Sequence, residues 1–414
     1  MIEKQVSLNE GWEYKKLKDI CDFVRGPFGG SLKKNIFKSE GYAVYEQQHA
    51  IYNQFNSIRY FIDEDKFNEM HRFELKSGDL IMSCSGTMGK IAIVPENIKR
   101  GIINQALLKL SPSKKISTVF LKLWMQSENF QDSLKKYSGG AAIQNVASVA
   151  ILKQIEIPLP ALSEQLRIVS ILDTAFEVID KAKANAEQNL KNSKELFESY
   201  LQNIFSSKGE GWQEKTLSQI SNVFGRGKSK HRPRNFEGLY GGEYPFIQTG
   251  DIRNCDHYIT DYSQTYNEMG LAQSKLWPSG TICITIAANI AETGVLTFDA
   301  CFPDSVIGLV VNESLADRNF VEYLLQSYKS KLQALGKGSA QANLNMGSFE
   351  NEVFPFPSVE QQRIIVKQLD NLSKETKRLE SIYQQKLIDL EELKKSLLEK
   401  AFKGELKTEK IKVV

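Results

Sequence analysis

The sequence predicts an α+β protein: two tandem mixed α/β domains, each running into a long helix, with the two helices pairing as an antiparallel coiled coil. Three observations carry that expectation. The chain repeats itself at a spacing of about 200 residues, it holds two Pro- and Gly-free heptad stretches, and short glycine-punctuated strand signals precede each of them.

The repeat is legible residue by residue. Gly11-Trp12 returns as Gly211-Trp212, followed in phase by Lys15/Lys215, Leu17/Leu217 and Ile20/Ile220 at an offset of 200. Tyr42 pairs with Tyr244, and Ser77-Gly78 with Ser279-Gly280, at 202, while Gln126-Ser127 and Gln326-Ser327 stand 200 apart. Gly140, Ala142 and Asn145 then match Gly338, Ala340 and Asn343, and Pro158-Leu159-Pro160 matches Pro355-Phe356-Pro357. Such a period is too long for a solenoid and suits a tandem duplication with small loop insertions. The expected boundaries are a first domain at 1–158, a central long helix at 159–207, a second domain at 208–355 and a C-terminal long helix at 356–414. The segment from Pro27 to Gly41 shares almost nothing with that from Lys228 to Gly242. The scaffold repeats and the loops differ, and loops on a rigid scaffold carry specificity.

Within each domain, residues 79–84, 89–94 and 102–110 read as short strands, as do 281–287, 294–298 and 305–311. A helix follows in each copy, carrying Val119, Phe120, Leu123, Trp124, Phe130 and Leu134 in the first and Phe320, Leu324, Tyr328, Leu332 and Leu335 in the second. These are core positions. The Pro-x-Pro pieces break the chain before each long helix. From Val169 to Ile204, Leu172, Ile179, Ala186 and Tyr200 share one seam position, and Val169, Phe176, Leu190, Phe197 and Ile204 the other, interrupted by Ser193 and Lys183. From Ile365 to Leu397, Ile365, Leu372, Leu379 and Leu393 stand opposite Leu369, Tyr383, Leu390 and Leu397, interrupted by Lys386 and Thr376. At 1.5 Å per residue each helix would be roughly 50 to 60 Å long. A seam this long needs a partner helix. Homodimerisation would supply one, but two seams in one chain favour an internal antiparallel pair with approximate twofold symmetry.

Composition narrows the function classes. With 41% hydrophobic and 25% charged residues over 414 positions, the chain can fill two globular cores. No apolar run reaches membrane-spanning length, and Met1-Ile2-Glu3-Lys4 lacks a signal-peptide core, so a cytoplasmic location is expected. Five scattered cysteines (Cys21, Cys84, Cys255, Cys283, Cys301) form no Cys-x-x-Cys pair and read as reduced structural thiols. With four scattered histidines, no metal site is expected. A net charge of +3 does not announce a nucleic-acid partner, although a local patch can bind where the total does not. Ser85-Gly86-Thr87-Met88-Gly89-Lys90 lacks the spacing of a phosphate-binding loop, and neither a dinucleotide fingerprint, a His-Glu-x-x-His motif nor an Asn/Asp-Pro-Pro-aromatic methyltransferase motif occurs. The expected chain is therefore non-catalytic and binds no cofactor. A nuclease using Asp79 or Asp304 ranks last among its rivals, for lack of clustered carboxylates.

Three surfaces could carry recognition. Arg226, Lys228, Lys230, His231, Arg232 and Arg234 crowd one loop of the second domain, and Arg25, Ser31, Lys33 and Lys34 lie in its counterpart, both opened by glycines that let backbone approach a ligand. A solvated loop is the plainer alternative. An amide-rich strand offers Glu46, Gln47, Gln48 and His49 in the first copy and Gln248, Thr249 and Asp251 in the second. Gln presents a paired donor and acceptor to adenine, Glu accepts from cytosine and Arg forks onto guanine; a polar edge strand is the alternative. Gln144-Asn145 and Gln341, Asn343 and Asn345 follow glycines, as turns or as phosphate and base contacts.

Together these residues resemble the specificity subunit of type I restriction–modification systems. The motifs are the Pro-x-Pro elements running into Ser163-Glu164-Gln165-Leu166-Arg167-Ile168-Val169 and Val359-Glu360-Gln361-Gln362-Arg363-Ile364-Ile365. To these add Lys76-Ser77-Gly78-Asp79-Leu80-Ile81 with Ser83 and Ser85-Gly86-Thr87, and the closing Ala401-Phe402-Lys403-Gly404-Glu405-Leu406. The second copy departs in having Thr281 for Asp79, and Ala288-Asn289 with Glu292-Thr293-Gly294 for the Ser-Gly-Thr element. The resemblance implies two target recognition domains, each reading half of a split, asymmetric double-stranded DNA site, with the helices as a ruler; Thr87, Lys90 and Asn289 join the candidate contacts. A rod of the estimated length would separate the half-sites by roughly 15 base pairs. It also implies docking of two modification (methyltransferase) subunits, which bring S-adenosylmethionine and flip adenine for N6 methylation, and of restriction subunits, which use ATP. No membrane partner is expected. A coiled-coil tether with two protein-binding heads is the rival reading, and would show no DNA affinity.

Overall fold

Three leucines, Leu107, Leu108 and Leu110, explain the centre of the first domain: Leu107–Pro112 is a strand with neighbours on both sides, and its first four residues are buried, Lys109 included. It lies in a four-stranded antiparallel sheet in the order Cys21–Arg25, Leu107–Pro112, Leu80–Ser83, Ile91–Ile93. A second sheet places Tyr42–Tyr45 between Tyr60–Ile62, antiparallel to it, and Gly101–Ile103, parallel to it. Gly101 is required there, since a Cβ would stand 2.1 Å from the Ala43 carbonyl oxygen. Helices Thr118–Gln126 and Glu128–Tyr137 cover the larger sheet, with Phe120, Trp124 and Phe130 packed on Leu80, Met82 and Leu110.

The structure, a computed structural model, describes residues 10–137, 148–207, 209–230, 233, 236–287, 289–337, 346–350 and 352–406. The chain divides into two compact units, Met1–Ala186 with Gln385–Val414, and Glu187–Gln384. The second unit repeats the plan of the first. Its larger sheet runs Ser221–Arg226, Val306–Val311, Ile282–Thr285, Thr293–Leu296, Tyr258–Ile259, and its smaller one Gln264–Tyr266, Tyr240–Phe246, Ala300–Cys301, Leu276–Trp277. In both units a short strand near the start pairs antiparallel with the Pro-x-Pro segment: Glu13–Lys16 with Glu156–Leu159, and Gln213–Lys215 with Phe354–Phe356.

Two expectations about single elements are corrected. Residues 102–110 are two strands, because the chain changes sheets at Asn104: its N–H bonds the Tyr45 carbonyl (2.9 Å), and the Leu107 N–H turns back to the Asn104 carbonyl (3.2 Å). The single helix expected next is two helices in each unit. Ser127 breaks the first by donating its hydroxyl to the Trp124 carbonyl (2.6 Å), and Ser327 does the same to Leu324 (2.7 Å). The repeated Gln-Ser dipeptide is thus a helix stop.

The long helices are Leu162–Ser206 and Val359–Phe402. In the first helix, every expected seam residue is buried or half-buried, Ser193 included. In the second, the expected seam holds in part. Ile365, Leu369, Leu372, Thr376, Tyr383, Leu390 and Leu397 turn inward, but Leu379, Lys386 and Leu393 are exposed, and Val366, Ser373, Glu380, Leu387, Lys394 and Ala401 also turn inward. Polar side chains at three of those positions hid the register from an apolar pattern. The partner is internal. In the first unit Lys183 pairs with Glu391 (2.5 Å) and Lys394 with Asp180 (3.0 Å), so numbers rise on one helix as they fall on the other, as an antiparallel pair requires. In the second unit Phe197, Leu201 and Phe205 share a core with Ile365, Val366 and Leu369. Among the described residues no helix is long and apolar enough to cross a membrane.

The Glu-Gln motifs at the helix starts have a physical reading. Gln165 is fully buried; it accepts from the Ser117 N–H (2.8 Å) and donates to the carbonyls of Pro160 (2.9 Å) and Lys115 (3.1 Å). Gln362, also fully buried, accepts from the Asp317 N–H (2.7 Å) and donates to Pro357 (2.8 Å). Each glutamine pins its long helix to the N-cap of the helix that covers the sheet. Buried main-chain groups that no regular element satisfies are satisfied here by one side-chain amide.

Candidate nucleic-acid interface

Of the stretch from Tyr45 to His49 expected as strand, only Tyr45 is strand; Glu46 to His49, like Gln248 to Asp251, are instead the starts of short helices, Gln47–Tyr52 and Thr249–Asn254. Both carry a capping box. The Glu46 side chain takes the His49 N–H while His49 Nδ1 takes the Glu46 N–H (2.9 Å), and Gln248 and Asp251 do the same (2.8 Å from the Gln248 N–H to Asp251 Oδ2). Such a box satisfies two orphan donors of the first turn, which is why four polar residues in a row form a helix start. It also fixes roles. His49 is buried, its Nε2 lies 3.0 Å from the Ser57 carbonyl, and it holds the turn in place; Gln47 is half-buried and Gln48 exposed. Gln248 and Thr249 are half-buried, and Gln248 donates to Gln264 (2.7 Å).

Beside each helix start lies one loop, built twice. Ser83 Oγ donates to the Thr87 carbonyl (2.6 Å) and accepts the Lys90 N–H (3.0 Å), and the Gly89 N–H bonds the Ser83 carbonyl (2.9 Å). In the second unit Thr285 Oγ1 donates to the Asn289 carbonyl and accepts the Glu292 N–H (2.9 Å), and the Ala291 N–H bonds Thr285 (2.8 Å). The Ser-Gly-Thr element therefore survives in the second copy as geometry, although its letters change. Thr87 and Lys90 are exposed. The Gln47 amide oxygen accepts from the Ser85 N–H (3.3 Å), tying helix start to loop, and Arg253 reaches the Asn289 side chain (3.5 Å) in the counterpart.

The basic loops begin at glycines that nothing larger could replace. A Cβ at Gly26 would stand 1.8 Å from the Asn104 carbonyl oxygen, and one at Gly227 would stand 2.3 Å from that of Phe302. The preceding Arg25 is half-buried, and its charge reaches Cys84, whose thiol burial pushes up to about 11. Ser31 is half-buried; Lys33 and Lys34 are exposed. Arg226 is exposed but held, its guanidinium donating to the Asp304 carbonyl (2.8 Å from Nε). Lys228 and Lys230 are exposed, and their main chain is clamped by Ser274 and Gln273 (2.9 and 2.7 Å). This brings the second unit's basic loop and helix start together. Ser229 and Ser305 on one side and Gln248 and Gln264 on the other line a hollow of about 560 Å³. In the first unit Asn104 joins the two, touching Gly26 and bonding Tyr45. Asn104, Gln264 and Ser305 were not singled out in the sequence, since they come from strand ends far away in the chain. His231, Arg232, Arg234, Gln144, Asn145, Gln341, Asn343 and Asn345 lie outside the described residues.

Asp79 has a structural task, and Asp304 holds Arg226 through its main-chain carbonyl. The Asp79 carboxylate takes the Lys76 N–H (2.9 Å) and the Ser111 hydroxyl (2.6 Å), closing the turn that Thr281 closes through Pro278 (2.7 Å) in the other copy. Among the described residues no three His, Cys, Asp or Glu side chains come together as a metal site.

The geometry is that of one recognition scaffold used twice with different surface chemistry. The chain belongs to the family described as the type I restriction modification DNA specificity domain, matched at residues 9–192 and again at 209–388. It is similar to the type I restriction enzyme MjaIX specificity subunit of Methanocaldococcus jannaschii, 22% identical over 428 residues that cover 97% of this chain and 94% of that one. In fold it resembles the HsdS subunit from Thermoanaerobacter tengcongensis (TM-score 0.67, 20% identity, 98% and 100% of the two chains). A chain in a solved structure of a type I R-M system aligns with a TM-score of 0.76 at 20% identity, covering 97% and 100%. The chain thus has a DNA-sequence-recognition role in a type I restriction–modification complex.

Proposed function

We propose that each unit reads one half of a bipartite, asymmetric DNA target, and that the helices set the gap while docking two methyltransferase subunits, with restriction subunits as further partners. The observation that carries this reading is the duplication of support without duplication of surface. The capping box, the Ser/Thr-braced loop and the buried glutamine tie occur in both units, and so does the arginine before the locked glycine (Arg25, Arg226), whereas the loop beyond it carries Ser31, Lys33 and Lys34 in one unit and Lys228 and Lys230 in the other. Equal scaffolds hold the readers in equivalent settings, and unequal loops make the half-sites differ, so the target is not a palindrome. Lysines contact phosphate, and the amide-bearing helix starts, with Asp251 and His49 bracing them, present Gln47, Gln48, Gln248 and Thr249 to base edges. S-Adenosylmethionine and ATP belong to the partner subunits.

The test is to co-express the chain with a modification subunit encoded beside it and map N6-methyladenine genome-wide by single-molecule sequencing. The expected result is a two-part motif with a fixed gap, of which exchanging residues 208–355 changes one half. A stable complex that methylates nothing would overturn the reading.

A further inference from the structure

Phe28 is 94% exposed, the most exposed of the large apolar side chains among the described residues; the next, Tyr52, is at 69%. A phenylalanine left in water forgoes the gain of burying its ring, yet the loop around it is built to hold it there. Gly26 is locked against Asn104, Pro27 is buried, and the Ser31 N–H bonds the Phe28 carbonyl (2.9 Å) to close a tight turn, Gly29–Ser31. On the far side Leu32 is buried with Val44, Ile62 and Ile102. The turn is pinned at both feet, with the aromatic ring at its tip and the exposed Lys33 and Lys34 beside it. The other unit has Lys228 and the buried Ser229 directly after its locked glycine, and among the described residues of that loop the aromatic ring is Phe236, at 44% exposure.

We infer that Phe28 is an apolar probe of the first half-site, inserted against the bases while Lys33 and Lys34 hold the adjoining phosphates. Apolar side chains pushed between base steps unstack them, and an aromatic ring also stacks on an exposed base. The ring thereby makes the first half-site sensitive to base-step flexibility, which hydrogen bonds from Gln47 and Gln48 do not read. This inference rests on the DNA reading proposed above.

The experiment uses the full chain in complex with its modification subunit and a 40-base-pair duplex carrying the mapped target, with 2-aminopurine substituted in turn along the first half. Wild-type binding is expected to raise the 2-aminopurine fluorescence at one step. Phe28→Ala is expected to abolish that rise and weaken binding about tenfold, or 1.4 kcal/mol, while Phe28→Tyr keeps both. Phe28 has no packing role, so thermal stability should not change. A Phe28→Ala complex that binds within twofold of wild type with the fluorescence rise intact overturns the inference and leaves the DNA reading standing. So does a loss of modification-subunit assembly at unchanged DNA affinity. Failure of the wild-type complex to bind the duplex overturns the DNA reading and this inference together.

Discussion

Replacing Gln165 by Leu tests the tie between helix and domain. The two side chains are close in volume, so the cavity contribution is small and the change isolates the polar one. Three main-chain groups lose their partner: the Pro160 carbonyl, which is fully enclosed, and the part-exposed Ser117 N–H and Lys115 carbonyl. A buried group left unpaired costs about 1–3 kcal/mol, and a group that water can reach costs less. The expected loss is therefore about 2–4 kcal/mol, confined to the unit that holds Gln165. Hydrogen exchange read by mass spectrometry checks both size and place. A 3 kcal/mol loss, at 1.4 kcal/mol per tenfold, speeds globally limited exchange in peptides of Met1–Ala186 by about 150-fold and leaves those of Glu187–Gln384 unchanged. Gln362→Leu should give the converse pattern. Gln188→Ala, an exposed glutamine on the same helix bonded only to Asn192 among the contacts seen, is the control. If Gln165→Leu falls within about 0.5 kcal/mol of that control, the tie is not what holds helix to domain.

Gly26→Ala forces a methyl into the Asn104 carbonyl, and should cost more than about 2 kcal/mol in urea denaturation. His257 Nδ1 lies 2.6 Å from the fully buried Glu322; burial opposes charging the ring, but the Glu322 hydrogen bond and charge prevail, and its pKa is raised. Because the folded value is above the unfolded one, near 6.5, this pair stabilises the fold fully below about that pH and loses its contribution as pH rises through the folded value. Denaturation midpoints between pH 6 and 9 should show that fall, and Glu322→Gln should flatten it. Lys228→Ala and Lys230→Ala should each reduce the slope of log affinity against log salt by about 0.9 if both cations meet phosphate; an unchanged slope would place them off the DNA.

The sequence by itself determined the duplication, the order domain–helix–domain–helix, and the seam of the first long helix. Those signals are local or strictly periodic, and a repeat announces itself wherever the same core constraints recur: Leu17 and Leu217, Gln165 and Gln362. It also located the loops in which the copies diverge. Tertiary structure alone decided what the polar residues do. Glu46 and His49 read as a polar strand because alternation cannot tell an edge strand from a capped helix start, and only the reciprocal bonds of the box distinguish them. The second seam drifted because Ser373, Glu380 and Lys394 occupy inward positions, where an antiparallel partner tolerates polarity that a hydrophobic pattern does not register. The Ser-Gly-Thr loop looked lost in the second copy, since Thr285 offers the same hydroxyl as Ser83 under different neighbours. Phe28 gave no signal at all. A phenylalanine in a sequence reads as core, and its exposure is fixed by a distant carbonyl, that of Asn104, which allows nothing but glycine beside it.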